Sequence, residues 1–399
     1  MKVLHVIPSL SMSQGGPSKA VRVMELALRA SGVTVHIAST DDDGPALRNK
    51  QPCSVFFELE GGQRIQFRKL FEFYKIAPSF GWWVARNARE YDLIHIHALF
   101  SFTSIAAAWA ARWHGVPYVV RPLGTLNRYS VASRRPWLKR LSLVMFERRV
   151  LRHAAAVHFT SQAELDEAAT LGCPMKSVVI PLGIEAGTPS DGTLLRERFP
   201  ALKGARCLLY LSRLDPKKNV EGLLRAFSQC AGNWPDVKLV VAGDGAPRYV
   251  AGLKVLTDEL NLADRVVWAG HIDGDLKASA LAGAELFVLP SFSENFGIAA
   301  AEALMAGLPC VLGQGVAIAH DVVNAGAGVA VTPDPASIAA GLMQVMADGQ
   351  VRAAMSKRAV ALANDEYSAQ AMGKNLVALY KGILGGLQPL PSRMAGISK

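Results

Sequence analysis

The sequence has few cysteines and no long apolar run, and each shortage argues against a class of protein. Its five cysteines are scattered over 399 residues, odd in number and without a C-x-x-C pair. This pattern favours a reducing cytoplasm, in which the thiols act as small apolar side chains. No segment reaches the roughly 20 apolar residues of a membrane-spanning helix. Residues 1–10 predict a buried strand and not a signal peptide.

Charged residues are also scarce, and in the first half they are mostly of one sign. Asp, Glu, Lys and Arg make up 19% of the chain, and the net charge is +10. Residues 1–185 hold 23 Lys and Arg against 14 Asp and Glu, whereas residues 186–399 hold 20 against 19. Residues 112–152 alone hold ten cations and one acid, Glu147. Such a local field predicts an anionic partner for the first half. No nucleic-acid reading motif is recognisable there, so we expect no nucleic acid.

Strand–turn–helix units follow one another in both halves of the chain, which predicts an α/β fold. Half of the residues are hydrophobic, enough for two buried cores at this length. The turn-rich segment 186–192 marks a hinge, so we expect two Rossmann-like domains facing each other across a cleft. The predicted parts are a first domain at 1–187, a second at 188–367, a last helix at 368–387 and a flexible tail at 388–399.

The segment 289–307, LPSFSENFGIAAAEALMAG, has the character of a ligand site. A β-type run ends at Pro290, a polar loop follows, and residues 296–306 predict a helix. Glu294 then lies in the loop and Glu302 about two turns inside the helix. Free amides at a helix start receive an anion, and ionised glutamates accept hydrogen bonds from hydroxyls. Such a site suits a ligand with one phosphate end and many hydroxyls. An N-cap region with one surface glutamate is the alternative.

The residues S-E-N-F-G, followed by E-A-L-x-A-G-x-P, resemble the signature of retaining glycosyltransferase family 4, whose fold is of the GT-B type. Three further segments are similar to parts of that family. Residues 213–219 resemble its diphosphate loop, and residues 121–125 resemble its acceptor-side loop. The strand 92–97 ends at His97, as a strand of the family ends in a histidine near the transferred sugar. By the same resemblance, the last helix crosses back to the first domain.

The resemblance implies a role for each of these positions. Arg213 and Lys218 would hold the diphosphate, Glu294 the hydroxyls of the donor sugar, and Glu302 the ribose. His97 would orient the sugar or the leaving oxygen. The other donor-side candidates are Gly15, Gly16, Gly243, Gly270, His271, Asn295, Phe296 and Gly297, and the acceptor-side candidates are Arg121, Gly124 and Thr125. For the first two glycines, a plain tight turn is the alternative.

Three motifs raise the question of a metal. The aspartates at 41–43 precede a Gly-Pro turn and are predicted to form a solvated loop. The D-G-D at 273–275 begins a helix, where Asp is common. His95 and His97 lie on one face of a strand, but no third ligand of suitable spacing is evident. We expect no required metal or cofactor, because an Arg/Lys pair already serves the diphosphate.

The resemblance implies a retaining transfer of a hexose from a nucleotide diphosphate sugar, as co-substrate, to a hydroxyl acceptor. The basic stretch 134–152 and the basic, aromatic stretch 61–83 predict contact of the N-terminal domain with an anionic membrane surface. An ordinary helix with solvated cations and a self-packed loop are the alternatives. We therefore expect a lipid-linked saccharide acceptor of a surface polysaccharide pathway (O-antigen or exopolysaccharide), and a peripheral position at the cytoplasmic membrane face. A sugar-nucleotide epimerase of the same fold and a non-catalytic sugar-nucleotide-binding protein are the alternatives in function.

Overall fold

The computed structural model describes residues 1–11, 16–44, 47–126, 141–185 and 187–386. The chain divides into two compact units: Met1–Gly183 with Ala369–Lys399 forms the first unit, and Ile184–Ser368 forms the second. The sequence placed these divisions after residues 187 and 367. Gly15, the start of the basic stretch at 134–140 and the predicted tail at 388–399 lie outside the described residues.

The first unit is built on an eight-stranded sheet. Its strands are β1 Lys2–Val6, β2 Thr34–Thr40, β3 Phe56–Leu59, β4 Gly62–Phe67, β5 Leu93–His97, β6 Tyr118–Arg121, β7 Ala156–Phe159 and β8 Ser177–Val179. They follow the order β3-β4-β2-β1-β5-β6-β7-β8, and every neighbouring pair is parallel except β3 with β4. All five residues of β5 are buried, as is typical of parallel strands covered on both faces.

Helices cover both faces of this sheet. They are α1 Gly16–Ala30, α2 Pro78–Asn87, α3 Phe102–Trp113, α4 Arg148–His153 and α5 Gln162–Ala169, with a π-helical turn at Leu143–Glu147 and 3-10 turns at Phe73–Lys75 and Ala88–Glu90. Leu4 and Ile94 share a core with α2, α3, α4 and α5, whereas Val3 and Leu93 share a second core with α1. Two cores arise because successive side chains of a strand point to opposite faces of the sheet.

The C-terminal helix, Ala369–Leu384, lies in the first unit, although it follows the second unit in the chain. It packs against α1, where Gly373 approaches Ala27 closely. A Cβ at position 373 would lie 3.0 Å from the carbonyl oxygen of Ala27, so a larger residue would push the two helices apart. Leu376 and Tyr380 of this helix are fully buried and complete the core around α1.

The second unit is built on a six-stranded sheet. Its strands are β9 Arg206–Leu211, β10 Val237–Ala242, β11 Val266–Gly270, β12 Leu286–Leu289, β13 Cys310–Gly313 and β14 Gly328–Val331. Its helices are α6 Thr193–Arg198, α7 Val220–Cys230, α8 Pro247–Glu259, α9 Gly274–Gly283, α10 Ile298–Met305, α11 Ala319–Asn324, α12 Pro335–Met346 and α13 Gly349–Leu362, with a π-helical turn at Ala363–Tyr367 and 3-10 turns at Pro200–Leu202, Pro216–Lys218 and Ala231–Asn233. Within the described ranges, no helix is both long enough and apolar enough to span a bilayer.

The strand order reverses at one point in each sheet. The second sheet runs β11-β10-β9-β12-β13-β14, with all neighbours parallel, so that chain order turns back between β9 and β12. In the first sheet the corresponding point lies between β1 and β5. Ligands of open α/β sheets bind beyond the carboxyl ends of the strands at such switch points. The predicted α/β class with two Rossmann-like units is confirmed, and each unit has one switch point.

The prediction that the aspartates at 41–43 form a solvated loop is wrong for two of the three. Asp41 and Asp42 are 3% and 2% exposed. Asp42 accepts hydrogen bonds from the ammonium groups of Lys69 and, at 2.8 Å, of Lys75. Asp41 accepts the backbone amide of Lys69 at 2.8 Å. The lysines that satisfy the two carboxylates lie far along the chain, so the local acidic pattern did not reveal them.

Candidate active site

Two loops lie side by side at the switch point of the second unit. The β9 loop, residues 212–219, and the β12 loop, residues 290–297, follow neighbouring strands. The side chain of Asn219, only 5% exposed, donates to the carbonyl oxygens of Pro290 at 3.2 Å and Pro333 at 2.7 Å. Pro290 begins the β12 loop and Pro333 follows β14. This one amide therefore ties the end of the β9 loop to the start of the β12 loop and to the segment after β14.

Lys218 of the β9 loop and Glu294 of the β12 loop form an ion pair. Their side chains are 12% and 24% exposed, so the pair is partly shielded and still accessible. Burial, followed by the charge of Arg213, lowers the pKa of the Lys218 ammonium to about 8, and the Asp215 carboxylate opposes this shift. The ammonium is therefore charged at neutral pH. The pair offers a ligand one fixed positive charge and one hydrogen-bond acceptor.

The backbone on both sides of Glu294 is held in place. Its amide donates to the carbonyl of Gly315 at 2.9 Å, and its carbonyl accepts from the amide of Ala317 at 3.1 Å. Gly297, the N-cap residue of α10, has φ of 97°, in the left-handed region that glycine tolerates best. A Cβ there would also lie 3.0 Å from Val316. These constraints fix the place from which the Glu294 side chain leaves the backbone.

Glu302 lies one turn inside α10 and not two, because the helix begins at Ile298 and not at residue 296 as predicted. Its carboxylate accepts a hydrogen bond from the ammonium of Lys277, on α9, at 2.8 Å. The Glu302 side chain is 12% exposed. This acceptor is thus shared with a lysine that the sequence motif does not include.

Two glycines let the turn after β10 lie against the β9 loop. A Cβ on Gly243, whose φ is 141°, would lie 1.8 Å from the carbonyl oxygen of Ser212. A Cβ on Gly245 would lie 2.2 Å from the carbonyl oxygen of Leu214. Only glycine fits at such distances. Gly243, one of the predicted donor-side residues, lies against the start of the loop that carries the two cations.

Three more predicted donor residues, Arg213, Gly270 and His271, lie on the surface of the second unit. Arg213 is exposed, and its guanidinium makes no hydrogen bond to any residue that the structure describes. Gly270, with φ of 65°, ends β11 and has open space around it. The His271 side chain is 67% exposed, 3.8 Å from the carboxylate of Asp273. All three are accessible to a ligand from solvent.

The two residues after Glu294 were both predicted to bind the donor. The structure places the first on the surface and the side chain of the second in the core. Asn295 is exposed. Phe296 is 4% exposed, and its ring packs edge-on against Tyr367 with 5.7 Å between the ring centroids. The ring of Phe296 is therefore a core side chain, and only its backbone is available to a ligand.

The switch point of the first unit brings Gly16 and His97 to neighbouring elements, but only one of them is accessible. Gly16 begins α1 and is partly exposed. His97 ends β5 and is fully buried, with its Nε2 3.0 Å from Nδ1 of His5. The ring of His95 stacks on that of His97 at 4.3 Å, and its Nδ1 lies 2.6 Å from the hydroxyl of Tyr380. The structure thus places His97 inside the core of the first unit.

The buried histidine cluster comprises His5, His95, His97 and His158. Nε2 of His158 donates to the carbonyl of Ile180 at 2.8 Å, and Arg121, 3% exposed, ends β6 on the same side of the sheet. Burial and then the charge of Arg121 lower the pKa of His5 and of His158 to about 3. Burial and the neighbouring imidazoles lower the pKa of the other two. All four imidazoles are therefore neutral at pH 7.

Three members of this cluster could in geometry hold a metal ion. One ring nitrogen from each of His5, His95 and His97 lies within 4.8 Å of the others, so His5 supplies the third ligand that the sequence did not reveal. A dication there would share the buried layer with the guanidinium of Arg121, whose pKa burial lowers to about 10. The internal hydrogen bonds therefore explain the cluster better as a neutral network than as a metal site.

Glu164 fixes the loop after β6, where the acceptor-side residues were predicted. The amide of Gly124 donates to Oε1 of Glu164 at 2.8 Å, and the amide and hydroxyl of Thr160 donate to Oε2 at 2.8 and 2.9 Å. The hydroxyl of Thr125 donates to the carbonyl of Pro122 at 2.6 Å. Gly124 and Thr125 thus belong to one tied turn, whereas the arginine that precedes it is buried.

Glu147, the single acid of the basic stretch, is fully buried. Its carboxylate accepts the amide of Phe100 at 2.9 Å and the hydroxyl of Ser142 at 3.3 Å. Burial raises the pKa of Glu147 to about 7. Phe100, with φ of 55°, belongs to the loop that follows His97. The π-helical turn, a feature often found at functional sites, therefore holds that loop through one carboxylate.

Comparison with known proteins decides the family. The family model described as "Glycosyl transferases group 1" matches residues 193–361, and the model described as "Glycosyl transferase 4-like domain" matches residues 15–183. The chain belongs to the group 1 glycosyltransferases. The resemblance to glycosyltransferase family 4 that the motifs predicted is confirmed.

Relatives of this glycosyltransferase are known in sequence and in structure. The alpha-monoglucosyldiacylglycerol synthase of Streptococcus pneumoniae is 27% identical over 309 residues, which are 74% of this chain and 67% of the relative. The GDP-mannose:cellobiosyl-diphosphopolyprenol alpha-mannosyltransferase of Xanthomonas campestris is 28% identical over 357 residues, 87% of each chain. Sucrose-phosphate synthase from Thermosynechococcus elongatus superimposes with a TM-score of 0.74 at 21% identity, covering 97% of this chain and 100% of that one. The last likeness shows the GT-B fold.

Three residues that shape the site of the glycosyltransferase were not singled out from its sequence. Asn219 has a local signal, since it takes φ of 57° just before α7, and asparagine is enriched both in the left-handed region and at helix starts. Glu164 also has a local signal, since it follows Ser161 by three residues, the spacing of a capping box. Of that box the structure shows the bond from the Glu164 amide to the Ser161 hydroxyl. Lys277 has no local signal, because it lies on another helix, 25 residues before Glu302 in the chain.

Proposed function

We propose that this glycosyltransferase transfers a hexose from a nucleotide diphosphate sugar to a hydroxyl of a lipid-linked saccharide, with retention of the anomeric configuration. The observation that carries the proposal is the ion pair of Lys218 and Glu294 at a switch point, beside the exposed Arg213. The second unit binds the donor and the first unit binds the acceptor. The S. pneumoniae and X. campestris relatives, whose names give diacylglycerol and diphosphopolyprenol compounds, support a lipid-linked acceptor.

The chemistry of the donor explains why these residues lie together. When the bond from the anomeric carbon to the diphosphate breaks, negative charge develops on the leaving oxygen. Arg213 clamps phosphate oxygens with two parallel hydrogen bonds, and Lys218 adds a point charge. Each preorganised donor of this kind typically lowers the barrier by about 3 kcal/mol. Glu294 accepts hydrogen bonds from the sugar hydroxyls and Glu302 from those of the ribose.

Retention follows if the acceptor attacks on the face from which the diphosphate leaves. The acceptor oxygen forms the new bond to the anomeric carbon, the bond to the diphosphate breaks, and the acceptor proton passes to the departing diphosphate oxygen. Glu294 is paired with Lys218 and is therefore not placed as a covalent nucleophile towards the anomeric carbon. We assign the reaction to surface polysaccharide synthesis at the cytoplasmic face of the membrane, without a required metal.

A transfer assay tests the proposal. Radiolabelled UDP- and GDP-hexoses are incubated with polyprenyl-diphosphate saccharides, and the anomeric configuration of the product is read by NMR. We expect transfer with retention, and a fall in kcat of about 100-fold in Lys218→Ala. The control Lys254→Ala removes an exposed lysine on α8 of the same unit and should leave kcat unchanged. Conversion of the donor into its epimer without acceptor, or binding of donor with no turnover at all, would overturn the proposal in favour of an epimerase or a binding protein.

A further inference from the structure

We propose that the outer surface of α2, α3 and α4 docks the first unit on an anionic lipid bilayer. The Trp/Arg surface consists of Trp82, Arg86, Trp109, Arg112, Trp113, Arg148, Arg149 and Arg152. The inference deepens the proposed function and rests on it, because a lipid-linked acceptor requires the enzyme to work at a membrane. It does not use the residues of the donor site.

Three tryptophans are exposed on two helices that pack together. Trp82 on α2 is 61% exposed, and Trp109 and Trp113 on α3 are 51% and 88% exposed. The two helices are neighbours, since the ring Nε2 of His114 lies 2.7 Å from the carbonyl of Ala85. Trp109 and Trp113 are four residues apart and therefore lie on one face of α3. Tryptophan is a highly buried residue on average, so three exposed rings on adjacent helices mark a contact surface.

The charges around these rings are all of one sign. The guanidinium of Arg86 lies over the ring of Trp82, 3.8 Å from its centroid. Arg112 is exposed between the two tryptophans of its helix turn, and three exposed arginines follow on α4: Arg148, Arg149 and Arg152. The one acid of α2, α3, α4 and the π-helical turn is Glu147, which is fully buried. Every charge that these elements present to solvent is therefore positive.

This combination selects one occupant. Tryptophan rings favour the boundary between headgroups and acyl chains, and arginines bind anionic headgroups while their stems stay in apolar surroundings. A second copy of the chain, docked through the same surface, would bring arginines against arginines, and like charges across an interface are unfavourable. The charge thus favours an anionic bilayer over self-association.

The surface differs from the one that charge in the sequence predicted. The basic stretch 134–152 supplies only its end, through α4, within the described residues. The stretch 61–83 supplies Trp82. The tryptophans of α3 belong to neither stretch, and they became apparent only because α3 packs between α2 and α4.

Vesicle co-sedimentation of the purified full chain tests the proposal. Large vesicles of phosphatidylcholine alone are compared with vesicles that also contain phosphatidylglycerol, at low and at high salt. We expect binding to the anionic vesicles, a blue shift of tryptophan fluorescence on binding, and weaker binding at high salt. The variants Trp109→Ser/Trp113→Ser and Arg148→Glu/Arg149→Glu/Arg152→Glu should each lower the partition coefficient about tenfold or more.

Matched controls keep this test specific. Val255→Ser and Arg225→Glu change exposed residues of the second unit and should bind vesicles like the wild type. Circular dichroism and the thermal midpoint show whether each variant is folded. Equal binding by folded surface variants and wild type would overturn the proposal. A second result would also overturn it: the wild type forms a concentration-dependent dimer in sedimentation velocity, and only the surface variants lose that dimer. The occupant of the surface would then be a second copy of the chain.

The proposal and the proposed function can fail separately. If the wild type transfers sugar to a detergent-solubilised lipid acceptor but ignores anionic vesicles, the Trp/Arg surface is not a membrane contact and the function stands. If the wild type binds vesicles through the surface but transfers no sugar, the function fails and the membrane contact stands. In the expected case, the surface variants lose transfer to acceptor embedded in vesicles and keep transfer in detergent.

Discussion

Lowering the pH should destabilise the first unit through its buried histidine cluster. All four imidazoles are fully buried, and the pKa of His5 and of His158 falls to about 3. In the unfolded chain the same groups have a pKa near 6.5. Below pH 6.5 the unfolded chain therefore binds more protons than the folded one, so stability is fully present above that pH and is lost on acidification towards pH 3.

The size of the effect follows from the number of groups. Between pH 7 and 5.5, each histidine that is protonated only in the unfolded chain lowers the free energy of unfolding by about 1.2 kcal/mol. Four such histidines lower it by about 5 kcal/mol. That loss is comparable with the whole stability of many domains, which lies at about 5–15 kcal/mol. The change in this pH dependence that follows from replacing a single histidine should therefore be measurable.

Urea unfolding at pH 7 and 5.5, analysed by linear extrapolation, measures this loss. In His158→Gln, a carboxamide can still donate to the Ile180 carbonyl but cannot titrate, so the loss between the two pH values should shrink by about 1.2 kcal/mol. His153→Gln changes an exposed histidine of α4 and should keep the wild-type loss. If His158→Gln and wild type show the same pH dependence, the cluster is not neutral in the folded state and the reasoning is wrong.

Three further predictions concern a turn, a carboxylate and the metal. Gly243→Ala should lower the free energy of unfolding of the second unit by about 2 kcal/mol or more, because its Cβ would overlap the Ser212 carbonyl; Gly252→Ala, where a Cβ meets nothing, should not, and urea titration compares them. Glu147→Gln should stabilise the first unit more at pH 8.5 than at pH 5. A carboxyl with a raised pKa contributes stability to the wild type below its unfolded pKa of about 4.5, and the wild type loses that stability as the pH rises through 7. Equal effects of the substitution at both pH values would contradict the burial argument. Excess EDTA should leave the transfer rate unchanged, and a loss restored by Mg²⁺ or Mn²⁺ would show that Arg213 and Lys218 do not suffice.

Local pattern was enough to predict the architecture and the composition of the donor side. Apolar runs ended by glycine turns marked the parallel strands, and the motif around Glu294 placed a loop and a helix start after a strand. Because parallel strands end at one edge of a sheet, the β9 and β12 loops could be expected to meet there. Lys218 and Glu294 do meet, as an ion pair. The exact helix start was missed, because Gly297 takes a left-handed conformation and delays α10 to Ile298.

Contacts between distant residues could not be predicted in this way. His5 joins His97 across 92 residues, and His95 joins Tyr380 across 285. Only the pairing of β1 with β5 and the return of the C-terminal helix bring these groups together. The same limit applies to Phe296, which was read as a donor contact, since the Tyr367 ring that buries it lies 71 residues further on.

Such long-range contacts decide burial, and burial decides what a polar residue can do. Arg121 and His97 carry suitable functional groups at suitable strand ends, but both are buried in the first unit. Glu147 was counted as one acid among ten cations, whereas its position under the loop after β5 makes it a buried hydrogen-bond acceptor. The reverse case occurs on α3. Its two tryptophans are of a residue type that is usually buried, but both face solvent.

Calorimetric titration with nucleoside diphosphates tests the central claim most directly, namely that the β9 and β12 loops of the second unit hold the donor. UDP and GDP are titrated into the wild type, into Arg213→Ala/Lys218→Ala, and into the control Arg225→Ala/Lys254→Ala. At least one nucleotide should bind the wild type and the control equally. The loss of two charge-assisted contacts should weaken binding to the site variant by about 100-fold or more. Equal binding by all three proteins, or binding of neither nucleotide to the wild type, would contradict the account.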